Sequence, residues 1–144
     1  MRIAEILRNK GTTVTTVAPH TTVRALLSVL TERNIGAVVV SPDAETIAGI
    51  VSERDVVRRL DAEGAPLLDR PVADIMTVQV RTCGPDDDVS SLRDVMTEHR
   101  VRHMPVVQDN RLIGIVSIGD VVKSEITELA TEREQLVDYL QGRY

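Results

Sequence analysis

Two short segments of this chain have residue types and spacing that could hold a nucleoside phosphate. They are Ser52-Glu53-Arg54-Asp55 and Ser117-Ile118-Gly119-Asp120, each following a Gly-Ile-Val run. A serine placed where a strand gives way to a helix offers its hydroxyl and nearby free backbone N–H groups to an anion. The aspartate three residues later returns to the same side of the helix after one turn. Its carboxylate only accepts hydrogen bonds, so it can take them from two vicinal hydroxyls such as those of a ribose. The same spacing also describes a capping box, in which Ser52 or Ser117 is the N-cap and Asp55 or Asp120 its partner. A cap can also touch a ligand, so both readings stand.

Other residues qualify as helpers. Arg102 and His103 are adjacent potential cations just before an apolar strand, a placement that suits phosphates. Lys10, Arg54 and Lys123 are further cations that could reach a phosphate tail, although each reads first as a plain surface charge. Thr15 and Arg81 begin paired strands and could line pockets. The run Asp86-Asp87-Asp88 falls at a helix start, where acidic residues favour the dipole, so we read it as capping and not as a metal site. His20, His99 and His103 lack zinc spacing, and the lone Cys83 reads as structural.

These segments are positioned by a chain that is written twice. Pro19, Val23, Leu26, Val29, Thr31 and Glu32 recur 66 positions later as Pro85, Val89, Leu92, Val95, Thr97 and Glu98. One residue fewer in a later loop changes the offset to 65, so Gly49-Ile50-Val51-Ser52 matches Gly114-Ile115-Val116-Ser117. The lead-ins also rhyme, Ile3-Ala4-Glu5-Ile6-Leu7 against Val72-Ala73-Asp74-Ile75-Met76. Such self-similarity takes precedence over any local motif.

Each copy predicts β-α-β-β-α. A β-favouring stretch (14–17; 78–82) leads to Pro19 or Pro85, then a helix with Val23, Leu26, Leu27 and Leu30, or Val89, Leu92, Val95 and Met96. The apolar runs 37–40 and 104–107 suit buried strands, and second strands follow at 47–51 and 112–116. The fold class is therefore mixed α/β (α+β), two such units related by a pseudo-twofold axis, plus a long C-terminal helix from about Ile118 to Leu140. Residues 1–62 form the first repeat with its lead-in, 63–71 a connector, 72–124 the second repeat and 125–144 the terminal helix.

Composition narrows the function. With 42% hydrophobic residues and no Trp or Phe, the core must be aliphatic. A net charge of −5 and two tyrosines as the only aromatics argue against nucleic acid as a partner. One cysteine, no apolar run of membrane-spanning length and no secretory leader point to the cytoplasm. No P-loop, HExxH, Gly-x-Ser-x-Gly or zinc pattern marks an enzyme.

The doubled Gly-Ile-Val-Ser-x-x-Asp, together with Arg102-His103-Met104-Pro105-Val106-Val107, resembles the CBS-domain pair, or Bateman module, over nearly the whole chain. The resemblance implies a regulatory module without catalysis, whose ligand is AMP, ADP, ATP or NAD, held in the cleft between copies. It implies Asp55 and Asp120 on ribose and Ser52 and Ser117 near phosphate; Gly119, Arg54 and Met104, adjacent to the motifs in sequence, are further candidates. The positions of Arg102 and His103 correspond to Gly36 and Ala37, small residues that leave room for a flat base. By the resemblance, Asp120 and Ser117 work with Gly36 and Ala37, and Asp55 and Ser52 with Arg102 and His103. It also implies a homodimer joined through helix faces; Leu26, Leu30, Leu92 and Met96 could supply such faces or could instead pack in the monomer's own core, and Ile126, Leu129 and Leu136 of the tail could add contact. The competing readings are a structural dimerisation module and an enzyme acting on nucleotides.

Overall fold

The computed structural model describes residues 1–143. In chain order it contains α1 (Ile3–Lys10), β1 (Thr16–Val17), α2 (Val23–Arg33), β2 (Ala37–Val40), β3 (Gly49–Ser52) and α3 (Glu53–Glu63). Two 3₁₀ turns (Ala65–Asp69 and Val72–Asp74) lead to α4 (Val89–His99), β4 (His103–Gln108), β5 (Arg111–Ser117) and α5 (Ile118–Leu140).

In the first half β1 runs parallel to β2, and β2 pairs antiparallel with β3, so that Ala37 lies opposite Ser52 and Val40 opposite Gly49. In the second half β4 and β5 pair antiparallel, with His103 opposite Ser117. The place of β1 is taken there by a single parallel bridge from Cys83 to Val106. Cys83 lies 66 positions after Val17, and Val106 66 after Val40, so the bridge is the remnant of the same pairing. β2 is buried at every position, as expected of an unbroken apolar run of β-branched residues.

The local signals act as their chemistry dictates. Thr22 caps α2, its hydroxyl accepting from the Ala25 N–H at 3.2 Å. α2 ends on Asn34 in the left-handed region, and α4 ends the same way on Arg100. Asn is a favoured occupant of that conformation and Arg is not.

The two cores are aliphatic and have exchanged their lead-ins. Val17, Val23, Leu26, Leu30, Val38, Val40 and Val51 pack with Val72 and Ile75, which belong to the second copy. Val89, Leu92, Met96, Met104, Val106, Val116 and Val121 pack with Ile3, Ile6 and Leu7 of the first. Two glycines show how tight the exchange is. A Cβ on Gly49 would stand 2.6 Å from Met76 Sδ and 2.8 Å from the Thr77 carbonyl oxygen, and one on Gly114 2.6 Å from Leu7 Cδ2. The lead-in assigned with the first repeat therefore packs on the second.

Several expectations need correction. The β-favouring stretch 14–17 is a strand only over Thr16–Val17, and the stretch 78–82 forms no strand. Thr77 pairs with Ile50 of the first half and Cys83 with Val106 of the second, so the residues between them bridge two sheets and have no neighbour to pair with. Leu26, Leu30, Leu92 and Met96 are buried in their own halves and offer no face to a second subunit. The terminal helix does span Ile118–Leu140, as expected. The position 144 of the expected terminal segment lies outside the described residues.

Candidate ligand-binding cleft

Both Ser-x-x-Asp segments form complete capping boxes at strand-to-helix junctions. The Ser52 backbone N–H donates to Asp55 Oδ2 at 2.8 Å, and the Asp55 N–H donates to Ser52 Oγ at 3.3 Å. In the second half the corresponding distances are 2.9 Å to Asp120 Oδ2 and 3.2 Å to Ser117 Oγ. Each junction is closed from behind by a matched backbone bond, Glu53 N–H to the Gly36 carbonyl at 2.9 Å and Ile118 N–H to the Arg102 carbonyl at 2.8 Å. The repeat is thus visible in individual hydrogen bonds, and it sets Gly36 and Arg102 beside the two caps.

The surroundings of the two carboxylates differ. Asp120 Oδ2 accepts a 2.7 Å hydrogen bond from Lys10 Nζ, which also donates to the Ile115 carbonyl at 2.9 Å. Burial opposes the Asp120 charge, but the Lys10 ammonium and the Ser117 N–H outweigh it and hold its pKa below the ordinary aspartate value. Asp55 bonds only to its own cap among the described residues, and it opens on a cavity of about 780 Å³.

That cavity lies between the halves. Gly36, Ala37, Ser52, Arg54 and Asp55 line it from the first half, Arg102 and His103 from the second, and Arg81 from the segment that crosses between them. The pairing of Asp55 and Ser52 with Arg102 and His103 is therefore present in space. Gly36 and Ala37 lie in this same cavity, whereas Ser117 and Asp120 do not line it. Lys10, Thr15, Gly119 and Lys123 are also outside it. Met104 is a core residue, 2% exposed, packed in the second half.

His103 differs from its expected role as a second cation. Burial first, and then the charges of Lys10 and Arg102, push its pKa below the ordinary histidine value against the pull of Glu53 and Asp120. At neutral pH it is a neutral donor and acceptor facing Gly36, whose Cβ would stand 3.6 Å from its Cε1. The cavity also contains residues not singled out from sequence, notably Arg58, Gln79 and Arg100. Arg58 was legible in principle, lying one helical turn beyond Arg54. Arg100 was not, since its place depends on the turn that ends α4.

The family model for the CBS domain matches the chain twice, over residues 3–62 and 72–126. The chain belongs to the CBS-domain family. Three known proteins are similar to this CBS pair. It is 35% identical over 150 residues to the CBS domain-containing protein CBSX3, mitochondrial, of Arabidopsis thaliana, covering 99% of this chain and 73% of that protein. A CBS-domain containing protein from Agrobacterium tumefaciens superposes with a TM-score of 0.84 at 38% identity, covering 87% of this chain and 99% of the other. The CBS pair of protein MJ0100, solved in complex with 5′-methylthioadenosine and S-adenosyl-L-methionine, shares the fold at a TM-score of 0.77 and 21% identity, over 89% of this chain and 98% of that one. No helix among the described residues is long and apolar enough to cross a membrane.

Proposed function

We propose that this CBS pair is a regulatory module that binds one adenine nucleotide, from the set AMP, ADP, ATP and NAD, in the cavity beside Asp55. It performs no catalysis of its own. The observation that carries this reading is the Asp55 carboxylate. One oxygen is fixed by its cap, Oδ1 has no protein partner among the described residues, and the group borders an open interdomain cavity rimmed by cations. Ribose hydroxyls would donate to that carboxylate, a phosphate would meet Arg54 or Arg102, and the base would lie against Gly36 and Ala37. The adenosine-type ligands of protein MJ0100 support the ligand class. Asp120, occupied by Lys10, is the less accessible of the two carboxylates.

The chain also self-associates in this reading, in the cytoplasm, through the outer face of α5. Ile126, Leu129 and Leu136 are about 60% exposed there.

Titration calorimetry with AMP, ATP and NAD tests the binding, with chromatography of the recovered ligand to test for turnover. Binding with intact ligand and a raised melting temperature is the expected outcome. Absence of both heat and thermal shift at millimolar nucleotide would remove the proposal, and conversion of the ligand would replace it with an enzyme.

A further inference from the structure

The two halves share one repeated pattern, yet arginines are concentrated on one side of it. Five arginines line the Asp55 cavity: Arg54, Arg58, Arg81, Arg100 and Arg102. The residues at the matching positions of the other half are Gly119, Lys123, Thr15, Asn34 and Gly36, so four of the five counterparts are uncharged. Only Glu53 and Asp55 oppose the arginines in the lining, although the chain as a whole is acidic.

None of the five arginines is held in an ion pair among the described residues. Outside the cavity some arginines find partners, as Arg93 does with Glu125 at 3.0 Å and Arg70 with Asp74 at 3.2 Å, and others such as Arg8 and Arg111 stand alone among the described residues, so what distinguishes the five is that they are gathered in one lining. Arg100 adds a second kind of observation. It occupies the left-handed conformation at φ 54, where its counterpart Asn34 sits at φ 52. A long side chain is strained there and an asparagine is not, so the backbone bears a cost that places a guanidinium at the cavity.

Like charges gathered without partners repel one another in the empty protein, and a compact polyanion relieves that repulsion. A monophosphate can engage one or two guanidinium forks, and a chain of phosphates can engage more. We propose that the Asp55 cavity selects nucleotides carrying two or more phosphates over the monophosphate. This rests on the reading that the cavity takes a nucleotide, and it names the ligand class within that reading.

The test is calorimetry on the full chain at fixed ionic strength with adenosine, AMP, ADP, ATP and inorganic tripolyphosphate. ATP should bind at least about tenfold more tightly than AMP, and its affinity should fall more steeply with salt. Arg100→Asn should collapse the ATP-to-AMP ratio toward one while keeping or raising the melting temperature, because asparagine fits the left-handed turn. Arg81→Gln should lower the ratio as well. AMP binding as tightly as ATP, or Arg100→Asn leaving the ratio intact, overturns the proposal. Tripolyphosphate binding that depends on Arg100, with no adenine compound bound, would uphold the polyphosphate preference and remove the nucleotide reading instead.

Discussion

Lys10 donates a 2.7 Å hydrogen bond to Asp120 across the two halves, and no cation does the same for Asp55 among the described residues. In the register that aligns Leu7 with Met76, the counterpart of Lys10 is Gln79, which lacks the charge to neutralise Asp55. One carboxylate is thus satisfied within the protein, and the other borders the open cavity.

This difference should appear in affinity. Asp55→Ala removes hydrogen bonds to a charged acceptor, each worth roughly 1.5–3 kcal/mol. Loss of two would weaken nucleotide binding about a hundredfold or more. Asp120→Ala should leave affinity within about threefold of wild type, and titration should give one ligand per chain. Calorimetry on both variants checks this; equal losses would show that both carboxylates hold ligand.

The Lys10–Asp120 pair should also be visible in acid. The Asp120 pKa lies below its ordinary value in the folded protein. Its contribution to stability is therefore present above the unfolded value of about 4 and is lost as pH falls through the folded one. Both partners are part-exposed, so Asp120→Asn should cost only about 0.5–1 kcal/mol at neutral pH. Melting curves from pH 7 down to about 3 should fall more steeply for wild type than for Asp120→Asn.

Gly49 and Gly114 occupy matching positions and should respond differently to alanine. A Cβ at Gly49 meets the Thr77 backbone oxygen as well as Met76, whereas at Gly114 the nearest atoms all belong to the Leu7 side chain. Overpacking at Gly49→Ala should cost about 1–3 kcal/mol, and Gly114→Ala less, because Leu7 can turn aside. Urea unfolding of the two variants provides the comparison.

Cys83 should be inert in the folded protein. Burial, with the Asp87 charge adding to it, pushes its thiol pKa up to about 12. A thiol reagent at pH 8 should react slowly with the native chain and rapidly after denaturation. Prompt native reaction would mean that the strand edge around Cys83 opens readily.

Much of this was legible in the sequence. The shift of the repeat offset from 66 to 65 located both caps; Arg102 and His103 adjoin the second of them and line the same cavity as the first. The stretch 78–82 was misread because its β-favouring residues indicate a preference and not a partner, and neither sheet offers it one. The Lys10–Asp120 bond spans 110 positions and exists only because α1 packs on the opposite half. A repeat shows which residues are equivalent, but not whether each contacts its own copy or the other. The sequence offers His103 only as a potential cation, because burial cannot be read from a histidine and its neighbours in sequence.

The exchanged lead-ins make the two repeats impossible to sever. The first core waits for Val72 and Ile75, which follow it in the chain, and the second depends on Ile3, Ile6 and Leu7, which lie ahead of the first repeat's strands and helices. A ribosome therefore cannot release a finished first half, and a cut within the 63–71 connector leaves two fragments that each hold the missing piece of the other. Such fragments should fold only when mixed. The topology is that of two clasped arms, each holding part of the other's interior.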